Sequence, residues 1–194
     1  MKPTMLSLGF ALAILIVACV SKTEESQKEN PYAAEEMTPA DQIARGEYLV
    51  STNGCHDCHS PKKFSEKGME VDPDLVLSGH PASETLPPYD KQTAQGYILF
   101  SMGLTSATGP WGTSFSANLT PDPTGIGTWT EDQFIKAIRE GLYKGLEGSR
   151  PLLPPMPWQH YRNFTDDDLK SIFAYLMSLD PVKNAVPEPI PPVG

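Results

Sequence analysis

Cysteine is scarce: three in 194 residues, a count that excludes a disulfide framework. Basic side chains are scarce as well. Lys and Arg number 15 against 24 Asp and Glu, for a net charge of −9. That balance excludes the cationic surface a nucleic-acid binder needs, and it favours a partner carrying a basic patch. Hydrophobic residues make up only 39% of the chain and prolines number 20, so much of the sequence must be loop. A core this poor needs help from a bound group. No apolar run reaches the ~20 residues of a membrane-spanning helix, and no internal repeat is visible.

The longest apolar run, "MLSLGFALAILIVAC" after Lys2, reads as an export signal. Its end, Ile16-Val17-Ala18-Cys19, resembles a bacterial lipobox. The resemblance implies cleavage before Cys19 and acylation of that residue, leaving the body of the chain outside the cytoplasmic membrane, lipid-anchored and facing the periplasm or the cell surface. Residues 20–37 are charged and lack apolar periodicity, as in a flexible acidic tether. The expected organisation is a signal peptide over 1–18, the acylated Cys19 and tether over 19–37, a domain over 38–181, and a Pro-rich extended tail over 182–194.

Three helices announce themselves by their caps. Thr38 precedes Pro39 and Asp41, which predicts a helix start with Ile43, Ala44 and Tyr48 on one face and Asn53-Gly54 as its end. Thr130 caps "EDQFIKAIRE", with Gln133 reaching back, Phe134, Ala137 and Ile138 sharing a face, and Gly141 as the stop. Thr165 and Asp168 open the clearest helix, whose stripe is Leu169, Ile172, Phe173, Leu176 and Leu179, ended by Pro181. Between these, residues 60–128 are punctuated by Gly and Pro too densely for strands, and a short helix is expected around Lys91–Met102.

The chemistry concentrates in "NGCHDCHS", residues 53–60. A structural zinc site needs four ligands, usually as two separated pairs, and the second pair is missing. A thioredoxin-type dithiol follows a strand, whereas this pair ends a predicted helix. A disulfide closing so short a loop would stabilise little. Cys-x-x-Cys-His as a haem attachment uses every residue: Cys55 and Cys58 would form the two thioethers to one haem c, and His59 would bind the iron. His56 and Asp57 are spacers.

A sixth ligand must then come from Met69, Met102, Met156, His80 or His160. Met156 is the expected one, because Pro155 and Pro157 would hold its weak thioether on stiff backbone; His160 is next. Met102 reads as a packing residue, Met69 as loop decoration and His80 as an ordinary loop residue.

The segments "ARGEYLVSTNGCHDCH", "WGTSFSANLTPDPTGIGTWTEDQFIKAIREG" and "PLLPPMPWQHYRNFTDDDLKSIFAYLMSL" make the chain resemble class I bacterial cytochromes c, single-haem and His/Met-ligated, and within them the cytochrome subunits associated with dehydrogenases. The resemblance implies a mainly α cytochrome c fold: short helices and long loops packed around one covalent haem, with an insertion over 60–115. It implies that the first and last helices cross where Gly46 meets Tyr175 or its neighbours, and that Met156 is the distal ligand. It also implies that Asn118 and Trp158 line the haem pocket, alongside Trp111, Trp129 and Tyr161. The expected function is a membrane-tethered carrier of single electrons between extracytoplasmic redox partners, with no catalytic residues of its own. The alternatives are a cytochrome subunit of a periplasmic dehydrogenase complex, or a haem sensor or enzyme with a dissociable sixth ligand.

Overall fold

Local side-chain capping starts the three main helices where the sequence says it should. The computed structural model describes residues 37–192; the signal segment, Cys19 and all of the tether but Met37 lie outside the described residues. In α1 (Pro39–Thr52) the Thr38 hydroxyl accepts from the Asp41 amide at 3.2 Å. A one-turn helix, α2 (Cys55–His59), follows after Gly54. Thr130 accepts from the Gln133 amide to open α4 (Glu131–Glu140), and Thr165 from the Asp168 amide to open α6 (Asp166–Ser178). Such caps satisfy backbone donors that a helix start leaves orphaned. The Gln133 side chain does not reach back; it donates to the Lys144 carbonyl at 2.7 Å instead.

These helices supply most of the core, in which Leu49 and Val50 of α1 pack with Phe134 of α4 and with Leu169, Ile172 and Leu176 of α6. Leu77 and Ile126 from the intervening loops complete the buried cluster. The buried face of α1 is Gly46, Leu49 and Val50, not the expected Ile43, Ala44 and Tyr48. Tyr48 is exposed, with the Arg45 guanidinium over its ring. The reason is the crossing of α1 and α6 at Gly46, where a Cβ would come within 2.6 Å of the Ser171 carbonyl carbon and 2.7 Å of Tyr175 Cβ. Only a residue without a side chain permits that approach. Arg45 pins the crossing from outside, donating through Nε and Nη2 to one Asp168 oxygen.

The loop-rich middle does contain strands, against expectation. β1 (Lys62–Ser65) and β2 (Gly68–Val71) form an antiparallel hairpin. β3 (Leu99–Phe100), β4 (Ser106–Gly109) and β5 (Gly112–Phe115) form a second antiparallel sheet in that order. Glycine and proline here make turns rather than preventing pairing. Gly109 pairs with Gly112 across Pro110-Trp111, and Gly112 has φ +94, which a side chain would resist. The Lys91–Met102 helix shrinks to one turn, α3 (Thr93–Gly96). A last single turn, α5 (Trp158–Tyr161), precedes α6.

The Pro-rich tail is tied down. Ile190 exchanges backbone hydrogen bonds with Thr113 on the outer edge of β5. The Asn184 amide donates to the Ser78 and His80 carbonyls at 2.7 and 2.9 Å.

Candidate haem site

In a helical turn, residues three and four apart share a face, so α2 brings Cys55, Cys58 and His59 to one side. All three line a cavity of about 450 Å³, within the size range of cofactor pockets. Its walls are mostly apolar, with Leu49 and Val50 from α1, Phe134 and Ile138 from α4, and Leu169, Ile172 and Leu176 from α6. The helical core is thus also the cavity wall, and the hydrophobic surface that the composition left short is supplied around a hole.

The turn itself is strapped from behind. Lys62 Nζ donates to the carbonyls of His56 at 3.0 Å, Asp57 at 3.1 Å and Ser60, satisfying acceptors that the end of α2 leaves free. The buried Ser60 hydroxyl accepts from the Leu77 amide at 2.9 Å and bonds His56 Nδ1 at 3.0 Å. His56, expected as a mere spacer, is thus half-buried and partnered.

His59 Nδ1 lies 2.8 Å from the Ala117 carbonyl. A carbonyl can only accept, so Nδ1 carries the proton and Nε2 keeps the lone pair that a metal would take. Burial lowers the His59 pKa, outweighing the opposing Ala117 hydrogen bond, and keeps the ring neutral. Burial also pushes the Cys55 thiol up to about 11 and raises Cys58. Cys55 and Cys58 stand together at the cavity wall, neither in a disulfide.

Met156 lines the same cavity, although 97 positions separate it from His59. Its loop is held at both ends. Leu152 N donates to the Gly141 carbonyl at 2.7 Å, and Ser114 Oγ of β5 donates to the Pro154 carbonyl at 2.6 Å. The competing candidates stay outside the lining. His160 is exposed, as are Met69 (45%) and Met102 (76%). His80 does sit in a loop, fully buried, with Nδ1 2.9 Å from Thr105 Oγ1.

Two predicted pocket residues face elsewhere. Asn118 Oδ1 accepts from the Thr120 amide and hydroxyl, and its Nδ2 donates to the Val182 carbonyl at 2.8 Å. Asn118 therefore fastens the tail while its neighbours Ala117 and Leu119 line the cavity. Trp158 packs on Gly141, whose Cβ would come within 2.5 Å of the indole, and does not line the cavity. Trp111 is also outside; Trp129 and Tyr161 are in the wall. The Tyr161 hydroxyl donates to the Asn53 carbonyl at 2.6 Å, and burial pushes its pKa up to about 12.

One wall residue was missed from the sequence. Arg150 is the single Lys or Arg in the lining, and its guanidinium lies 3.9 Å from the Tyr143 ring centroid. Nothing local in the sequence singles it out, because its role depends on a fold that brings residue 150 to the cavity.

An apolar cavity lined by two cysteines at Cys-x-x-Cys spacing, an oriented imidazole and a thioether has the lining and the donor set that a covalently attached haem requires. The family model for cytochrome c matches residues 43–180 of the chain. The gluconate 2-dehydrogenase cytochrome c subunit of Pantoea cypripedii is 35% identical over 136 residues, 70% of this chain and 22% of that protein. The fructose dehydrogenase cytochrome subunit of Gluconobacter japonicus is 31% identical over 170 residues, 87% of this chain and 27% of that protein. A nicotinate dehydrogenase subunit of Pseudomonas putida is 44% identical over 79 residues, 40% of this chain and 6% of that protein. The chain thus spans little more than a quarter, at most, of the length of these relatives.

Proposed function

The chain belongs to the cytochrome c family, and from that premise we propose that it is a one-haem electron carrier, lipid-tethered outside the cytoplasmic membrane, which exchanges single electrons with a redox partner protein. The observation that carries this reading is the convergence of Cys55, Cys58, His59 and Met156 on one apolar cavity. Haem c supplies a one-electron ferric/ferrous couple when bound. Cys55 and Cys58 would hold it through thioethers, His59 Nε2 would be its proximal ligand and Met156 its distal one. The apolar wall keeps water from the site, and a thioether ligand favours the reduced state. One Cys-x-x-Cys-His motif would hold one haem, and with His59 and Met156 as its protein ligands the chemistry it would supply is one-electron transfer. The tether rests on the lipobox-like Cys19 and the acidic 19–37 segment, and the segment 60–115 is read as an insertion into the family's core.

A second reading, a subunit of a dehydrogenase complex, is favoured by the names of the relatives, which are cytochrome subunits of gluconate and fructose dehydrogenases. It changes the partner and leaves the chemistry of the site as it is.

The test is the absorption spectrum of the purified holoprotein. A weak ferric band at the red end reports methionine ligation. Met156→Ala should abolish that band and open the ferrous protein to carbon monoxide, which the wild type should refuse. A band that survives the substitution removes Met156 as the ligand. Ready carbon monoxide binding by the wild type instead supports a sensor or enzyme with a dissociable sixth ligand.

A further inference from the structure

Exposed apolar side chains crowd one place. Tyr97 (68% exposed), Ile98, Phe100 and Met102 (76%) fall on β3 and its immediate flanks. Phe100 is at once exposed and part of the cavity wall, so this patch runs continuously into the cavity mouth. Large apolar patches on soluble surfaces mark contact sites.

The charge map makes the patch more specific. From Gln92 to Pro121 the sequence has no Asp, Glu, Lys or Arg, although one residue in five of the whole chain is charged and its net charge is −9. In the cavity wall, Asp57 and Arg150 oppose one another in sign. The cavity wall itself therefore carries no acidic excess. The sheet edges differ too. The outer edge of β5 is covered by the tail through Ile190, whereas β3 is the other edge and pairs only with β4 among the described residues.

We propose that the β3 face, Tyr97 to Met102, is the docking surface for the redox partner protein, and that the partner meets it with an uncharged, apolar surface rather than a basic patch. This rests on the carrier reading and specifies its partner. Docking here sets the partner against Phe100, at the wall of the redox site. Association driven by apolar burial lacks long-range steering and is little affected by salt.

The experiment is stopped-flow reduction of the full-length ferric holoprotein by detergent-solubilised membranes of its own organism, respiring on their growth substrate. It compares the wild type with the double variant Tyr97→Ser, Met102→Ser, whose positions are too exposed to threaten folding. The wild-type rate should change less than about twofold between low and moderate salt. The double variant should be at least about tenfold slower, as for loss of central interface anchors, while ascorbate reduces both proteins equally. A rate that falls steeply with salt and ignores the double substitution overturns the proposal and puts the partner on a charged face. A double variant that loses self-association in sedimentation but keeps its rate also overturns it, in favour of a second copy of the chain as occupant. If ascorbate reduces the wild type and membranes do not, the carrier reading itself fails, and the docking surface with it.

Discussion

Replacing Gly46 by alanine puts the helix crossing under direct strain. The added Cβ would sit inside the Ser171 carbonyl and 2.7 Å from Tyr175 Cβ. Backbone atoms cannot rotate aside, so α1 must retreat from α6 by at least about 0.8 Å, the gap between 2.6 Å at the Ser171 carbonyl carbon and ordinary contact at 3.4 Å. Alanine is the better helix former by about 1 kcal/mol, which works in the opposite direction. Overpacking costs ~1–3 kcal/mol, and loosening Leu49 and Val50 from the α6 stripe adds lost contacts. The net expectation is a loss of about 2–4 kcal/mol, or roughly 5–15 °C in Tm for a domain of this size. Thermal and urea unfolding of the holoprotein measure it. Gly96→Ala at the end of α3 is the control, because nothing lies within 4 Å of that Cβ, and it should leave stability unchanged or raise it by up to about 1 kcal/mol. A Gly46→Ala protein melting at or above the wild type would refute the close crossing.

Asn118→Ala should leave the haem spectrum and potential unchanged while costing about 2–4 kcal/mol, since it strands the buried partners at Thr120 and Val182. Limited proteolysis should then cut the tail over 181–192 faster; a shifted potential with intact stability would return Asn118 to the haem pocket. Asp168 governs an acid-side term. Burial alone would raise its pKa, but hydrogen bonds from Arg45 and Thr165 outweigh burial and hold it below the usual carboxylate value. A depressed folded-state pKa gives stability that is present above the unfolded value, near 3.9, and is lost as pH falls through the folded value. Because the Arg45 side chain is 45% exposed, the pair contributes only ~0.5–1 kcal/mol. Urea unfolding should show Asp168→Asn weaker than the wild type above about pH 5, with the gap closing in stronger acid; a constant gap at all pH values would rule the ion pair out.

What could be read from the sequence, and what could not, divides by the range of the interaction. Caps at Thr38, Thr130 and Thr165 involve residues three apart, so their signals are complete in the sequence. The α1 stripe was misread because its central member, Gly46, carries no hydrophobic signal; its burial is caused by α6, more than a hundred residues on. The strands were missed because Gly112 and Pro110 have the same composition whether they break a segment or turn a hairpin. Asn118 and Trp158 were misplaced for a geometric reason. In extended chain, neighbours point opposite ways, so Ala117 and Leu119 facing the cavity send Asn118 to the other side. At Trp158 the chain turns into α5 directly after Pro157, which still touches the cavity.

The segment 60–115 holds together two parts that the sequence separates. Ser60 and Lys62 clasp the haem-motif turn, and the Gly79 amide donates to the His59 carbonyl at 2.8 Å. From there the His80 amide bonds the Ser116 carbonyl at 2.9 Å, and the Leu119 amide bonds that of Leu77. Ser116 in turn donates to Thr105, just before β4, whose partner strand is β3. A chain of short backbone hydrogen bonds thus runs from the turn that carries His59 to the strand that carries Phe100. Each link fixes distance without a flexible side chain, so the exposed β3 face keeps a set position relative to His59. A partner that docks there would need no rearrangement of this protein to find the redox site, and an apolar surface without steering charge can still deliver an electron to one defined place.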